Sequence, residues 1–135
     1  MAEAAAGPRY PNLRYLGWVD VTSPAFAKVA NGSIGQVYPS ASEGGAGAVV
    51  QLLHFGLIPI VIQTAAACSA HLGFETHSQE PKIIIADIQR HVRTLLALPD
   101  SDLRQRSDAA HELAVQNHTR PAYAASFGSL LARME

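Results

Sequence analysis

The stretch IPIVIQ, residues 58–63, holds five apolar residues in a row. A strand with one wet face alternates apolar and polar residues. An unbroken β-branched run reads instead as a strand buried in a parallel sheet. Pro59 is tolerable because it lies near the strand's first residue. A parallel strand needs a crossover from the strand before it, and the upstream sequence supplies one. IGQVYP (34–39) reads as a strand. The segment from about Gly45 to Phe55 reads as a helix, with Val49, Leu52 and Leu53 on one face and Val50 beside them. Gly56 stops it.

The rest of the chain extends this alternation. LRYLGWV (13–19) is aromatic and β-branched and reads as a strand running into a loop. SPAFAKVAN (23–31) has Ser23 in the capping position and Pro24 in the first turn, a helix start. Asn31 and Gly32 end it. Residues 64–81 are small and polar, a loop with a short helix. KIII (82–85) is a fourth apolar run. Three helices follow, over about 87–98, 101–117 and 121–134. Asp100 or Ser101 caps the second, and Thr119 with Pro121 starts the third. Strand, helix, strand, helix, strand with short connections predicts an α/β fold with a small parallel sheet flanked by helices and a C-terminal helical tail.

Bulk properties narrow the function. The 135 residues suit one domain, expected over 12–135 behind a loose tail at 1–11. A domain of this size buries about two thirds of its unfolded surface. Nearly half the residues are hydrophobic (48%), and 10 basic side chains face 11 acidic ones. That balance argues for a soluble globular protein and against nucleic acid as the main partner. The start lacks the basic-then-apolar order of a signal peptide, and no apolar run is long enough to cross a bilayer. Cys68 is the single cysteine, so no intramolecular disulfide forms, and a reducing, cytoplasmic setting is expected.

The segment PSASEGGAG (39–47) lies between the first strand of the crossover and its helix. Ligands of parallel α/β sheets bind beyond the carboxyl ends of the strands. The first turn of a helix leaves amides unpaired, and its dipole favours negative charge. Gly45, Ala46 and Gly47 carry no bulk to hold a phosphate away. Glu43 repels phosphate but accepts hydrogen bonds from sugar hydroxyls. Gln51 leans back along the helix and could meet a ribose hydroxyl. A phosphate-binding P-loop is excluded, since no Gly-Lys precedes Ser or Thr. The dinucleotide fingerprint fails at Val50, where its third glycine belongs. Spacing alone leaves open a second reading, a strand-to-helix turn that uses Gly and Ser for geometry.

The block VYPSASEGGAGAVVQLLHFGLIPIVIQ resembles the donor-binding signature of the retaining GT-B fold glycosyltransferases of the family 4 type. These read Pro-Ser, two residues, Glu-Gly, small residues, a helix, then Gly-x-x-Pro and a β-branched strand. PNLRYLGWVDVTSPAFAKV resembles their preceding strand, turn and helix, and the helical tail is similar too. The resemblance covers the chain from about Pro11 onward. It implies a partial Rossmann-like C-terminal domain that binds a nucleotide-diphosphate sugar as donor substrate, without metal or further cofactor.

The resemblance also implies residue roles. Glu43, as the catalytic-site carboxylate, contacts donor-sugar hydroxyls. Gly44, Gly45 and Ala46 lie near sugar and diphosphate, with Gly47 and Ala48 at the helix start. Trp18 and Val19 match the turn beside the nucleobase. Gln51 stands where the family has its second glutamate, and its neutral oxygen accepts more weakly than a carboxylate. The acceptor domain, the first donor-domain strands and their diphosphate-neutralising Arg and Lys have no counterpart. No Lys or Arg lies between Lys28 and Lys82. The chain thus resembles the C-terminal part of such an enzyme: a short gene product, a truncated piece or one subunit of a split enzyme, inactive alone.

Other candidates are weaker. Cys68 and His71 stand three apart, but AAACSA reads as small-residue packing around an inert thiol. The six histidines form no HExxH pattern. His111 and His118 are too far apart for one metal, and a site around His71 and His77 is not favoured. Asp87, Asp100, Asp102 and Glu112 read as caps and solvated faces. Tyr123, Phe127, Leu130 and Leu131 form a stripe, either core or a docking face. Two functions remain: the donor-binding part of a sugar-transferring enzyme, or a non-catalytic nucleotide-binding or structural module. In either case a raw sheet edge invites a missing N-terminal domain, a partner chain or a second copy.

Overall fold

The computed structural model describes residues 11–40, 46–62 and 72–134. Helix α1 (Pro24–Asn31) begins as its sequence dictates. The Ser23 hydroxyl accepts from the Phe26 amide at 3.2 Å, and Pro24 fills the first turn. The Gly32 amide closes the helix on the carbonyls of Lys28 and Val29. Strand β1 (Gly35–Tyr38), helix α2 (Gly47–Leu53) and strand β2 (Ile58–Ile62) form the expected crossover. A third strand β3 (Phe74–Thr76) and helices α3 (Pro81–Leu96), α4 (Asp100–Asn117) and α5 (Arg120–Leu131) complete the order.

Among the described residues the sheet is three-stranded and parallel, in the order β1-β2-β3. Val37 stands beside Ile60, and Ile62 beside Thr76. Helices cover both faces of β2, which is why that strand needs no polar position. Val61 packs with Val49 and Leu53 of α2 and with Ala110 and Ala114 of α4. Ile58 and Ile60 turn the other way, onto Leu95 of α3. Burying a side chain such as Leu53 contributes about 1.5–3 kcal/mol.

Helix α4 lies antiparallel to α2, and the contacts between them run in reverse order. A Cβ at Gly56 would lie 2.5 Å from the Ser107 Oγ, so the backbones meet closely there. Gly56 also has φ +74°, a left-handed conformation that suits glycine. One turn on, His111 bonds to the His54 carbonyl. Helix α4 therefore starts near the amino edge of the sheet and ends at its carboxyl edge.

Several expectations fail. LRYLGWV is not a strand. Residues 13–18 follow an irregular path and are exposed, with Trp18 at 87%. Strand propensity needs a neighbouring strand to express it, and none of the described strands lies beside this segment. KIII is not a strand either. Pro81 opens a helix at that point, and α3 absorbs residues 82–85 in its first turns. A real strand, Phe74–Thr76, lies instead inside the segment read as loop and short helix. Pro99, not Asp100 or Ser101, occupies the N-cap of α4, with no side-chain cap. Thr119 does cap α5, accepting from the Ala122 amide at 3.3 Å. The Tyr123–Leu131 stripe is not core, since no residue of α5 is buried.

Candidate functional site

Strand β1 delivers the chain to the carboxyl edge of the sheet, and α2 begins there. The expected sugar- and phosphate-contacting residues Glu43, Gly44 and Gly45 lie outside the described residues, as do Cys68 and His71. The described part of the loop opens at Ala46. Its backbone is left-handed (φ 40°, ψ 49°), the one non-glycine residue with positive φ among the described residues. Alanine in that conformation costs about 1–2 kcal/mol. The turn is held because the Ala46 side chain is buried in the core with Val49 and Leu53.

This turn sets the first amides of α2. The Ala46 carbonyl accepts from Val49 at 2.8 Å and from Val50 at 3.1 Å. The Gly47 and Ala48 amides precede that first bond and take no backbone acceptor among the described residues. Both residues are exposed. A Cβ built on Gly47 meets nothing within 4 Å. Gln51 is exposed on the same helix, one turn further. Gln36 of β1 anchors α2 from below, its Nε2 donating to the Val49 carbonyl at 3.2 Å.

Gly47 and Val50 form one wall of a cavity of about 460 Å³. The rest comes from the α4–α5 junction, including His118, Arg120 and Tyr123. Sequence reasoning missed this junction, because it sought a cation close to the loop along the chain. The chain distance from Gly47 to Arg120 hides their spatial proximity. The one available signal was the cap and proline at Thr119–Pro121, which fix a helix start but not its neighbours. A second cavity of about 280 Å³ lies at the amino edge, lined by Ile34, Gly56, Arg104, Ser107 and Asp108 among others.

Trp18 and Val19 do not join Gly47. Val19 lines a separate hollow with Arg14 and Lys28 against α1. A further residue escaped sequence reasoning at the end of β3. Thr76 is 1% exposed, and its hydroxyl has no hydrogen-bond partner among the described residues. Such a group costs about 1–3 kcal/mol to bury. It stands at the carboxyl end of β3, beside Ile62. Without a strand assigned to 74–76, nothing in the sequence singled it out.

On the opposite face of the sheet, His91 of α3 lies over the Phe74 ring, with centroids 5.1 Å apart. The Arg106 guanidinium also contacts that ring, 5.4 Å from its centre. The His91 Nε2 is buried with no hydrogen-bond partner among the described residues. Burial and the neighbouring Arg90 lower its pKa, against a smaller opposing pull from Asp87 and the Glu75 backbone. No group of three or more metal-ligating side chains occurs among the described residues. No helix among them is long and apolar enough to cross a membrane.

Comparison with protein-family models, curated proteins and solved structures returns no match for this chain. The geometry therefore stands as the ground for a functional reading.

Proposed function

We propose that this chain is the donor-binding part of a glycosyltransferase, transferring a sugar from a nucleotide-diphosphate sugar to an acceptor. The observation that carries the reading is the opening of α2. Small exposed residues, Gly47 and Ala48, lie just beyond a parallel strand, and their amides have no backbone acceptor among the described residues. They follow a strained, buried Ala46. Backbone strain of this kind gathers at ligand-binding turns. The likeness of PSASEGGAG to the donor loop of GT-B enzymes agrees with it. Glu43 then accepts from the donor sugar, Gln51 from the ribose, and helix amides stabilise the leaving diphosphate.

Titration calorimetry of the full chain against UDP-, GDP- and ADP-sugars, repeated with Glu43→Ala, tests this. Binding of one nucleotide class, weakened in the variant, is expected. Wild-type and variant chains with equal affinity would remove Glu43 from the site.

A second reading is a non-catalytic, partner-dependent module. Three exposures favour it. Among the described residues strand β1 has a neighbour on one side only, and Val37 on it is 46% exposed. Residues Leu13–Trp18 present aromatic and aliphatic side chains to solvent, and α5 buries none of its own. A further domain, a partner chain or a second copy would cover these surfaces.

A further inference from the structure

We propose that α5 is the docking helix for a second copy of this chain, pairing with its own counterpart across a two-fold axis. The inference rests on the partner-dependent reading and deepens it by giving one surface one occupant. It does not depend on donor binding.

Helix α5 is built to be covered, and its own chain leaves it open. Thr119 caps its first turn, and Ala122 is its one half-buried residue. From Tyr123 on, every residue of the helix is exposed. A helix of 12 residues is marginal in water unless packing offsets its costly nucleus. A helix that faces solvent carries charges on its outer side. Here none occurs from Pro121 to Ala132, whereas the exposed positions of α4 include Asp102, Arg104, Asp108 and Glu112.

The apolar side chains form a seam. Tyr123, Phe127, Leu130 and, just past the helix end, Met134 follow at steps of four, three and four, the spacing of the a and d positions of a coiled coil. They are between 48% and 77% exposed. The Tyr123 and Phe127 rings lie 6.0 Å apart and 8° from parallel, an aromatic anchor of the kind that dominates interfaces. Beside them runs a groove of about 500 Å³, lined by α5 and Arg133 alone and opened by the small Ser126 and Ser129. Knobs from a facing helix enter holes of this kind.

Area and charge select a second copy. A folded monomer of 14.4 kDa exposes about 6,800 Å², whereas this chain exposes 9776 Å². The excess is roughly 3,000 Å². A third of it exceeds the ~800 Å² that each partner gives to a standard interface. A partner recognised by charge needs charges to complement, and the seam has none. An identical seam fits it, because a two-fold axis sets the same patch on both subunits, each supplying knobs and groove at once.

The test is sedimentation velocity of the full chain over a range of concentrations, on wild type, Phe127→Glu, Leu130→Glu, Val37→Lys and Ile85→Glu. Wild type forms a dimer. A charge in place of an interface anchor weakens it about thirtyfold or more in either α5 variant. Val37→Lys reduces only association beyond the dimer, and Ile85→Glu, exposed on α3, associates as wild type. Undiminished dimers in both α5 variants, or a dimer that Val37→Lys abolishes, overturn the assignment to α5 and leave the partner-dependent reading standing. A wild type that stays monomeric overturns the second copy as occupant, and binding of that monomer to phosphatidylserine vesicles would assign α5 to a lipid surface instead. Circular dichroism checks folding. Should a glutamate variant unfold, Leu130→Ala decides: a weakened dimer supports the assignment, and an unchanged one refutes it.

Discussion

His111 donates from Nδ1 to the backbone carbonyl of His54 at 2.7 Å, joining residues 57 apart in sequence. A carbonyl only accepts, so the Nδ1 of His111 carries the proton. His54 in turn donates from Nε2 to the His118 carbonyl. Two histidines thereby clamp α4 along α2, and the clamp sets where the α4–α5 junction meets Gly47. His111→Ala removes the first bond. It should lower unfolding free energy by about 0.5–1.5 kcal/mol, read from the urea midpoint, and His111→Asn should recover part by donating to the same carbonyl.

The seam tightens at Gly56. With φ +74° and 2.5 Å from a built Cβ to the Ser107 Oγ, any side chain there is both strained and crowded. Gly56→Ala should cost about 1–3 kcal/mol. Ser107→Ala removes the hydroxyl but not the backbone strain or the Ser107 carbonyl, which lies 3.1 Å away. The double variant should regain only part of the loss by chemical denaturation.

Leu53 is fully buried where α2, β2 and α4 meet. Leu53→Ala leaves a cavity in that core and should cost about 2–5 kcal/mol. Urea unfolding reads the cost. A loss well under 1 kcal/mol would mean that α2 does not pack as described.

His91 makes stability depend on pH. Its pKa is lowered from the ordinary 6.5, first by burial and then by Arg90. The unfolded chain therefore binds the proton more readily than the folded one. The stabilising contribution is full above pH 6.5 and is lost as pH falls from there towards the lower folded pKa. A protonated ring would also bury a second N–H with no acceptor at Nε2. Urea midpoints for wild type should fall over that window, and those of His91→Phe should fall less. An identical pH profile in the variant would assign the change to other groups.

Among the described residues β1 has no strand on its outer side, and this edge predicts association. Lysine on an edge strand blocks pairing, and Val37 is exposed, so Val37→Lys should change stability by no more than about 0.5 kcal/mol. Sedimentation velocity should show concentration-dependent association in wild type and less in the variant. A wild-type chain that stays monomeric at all concentrations would count against the partner-dependent reading.

The crossover was legible because each of its parts is fixed by local chemistry. Ser23 and Pro24 start a helix on their own, and IPIVI has to be buried on both faces wherever it lies. LRYLGWV misled because strand propensity expresses itself only beside another strand, and none of the described strands lies beside this segment. KIII misled because three isoleucines fit a strand or a helix equally, and Pro81 decided for the helix. Residues 74–76 escaped because three residues carry no periodicity. In the site, the Gly- and Ala-rich opening of α2 could be read in sequence, since its chemistry is local. Arg120, His54 and His111 could not, because only the antiparallel packing of two helices brings them together.

The most direct measurement follows backbone amides by ¹H–¹⁵N NMR while UDP-, GDP- and ADP-sugars are titrated into the full chain. A donor site at the opening of α2 predicts that Gly47 and Ala48 shift most, with Gln51 following. Spectra that do not change with any donor, or shifts centred on Gly56 and Ser107 at the amino edge, would contradict it.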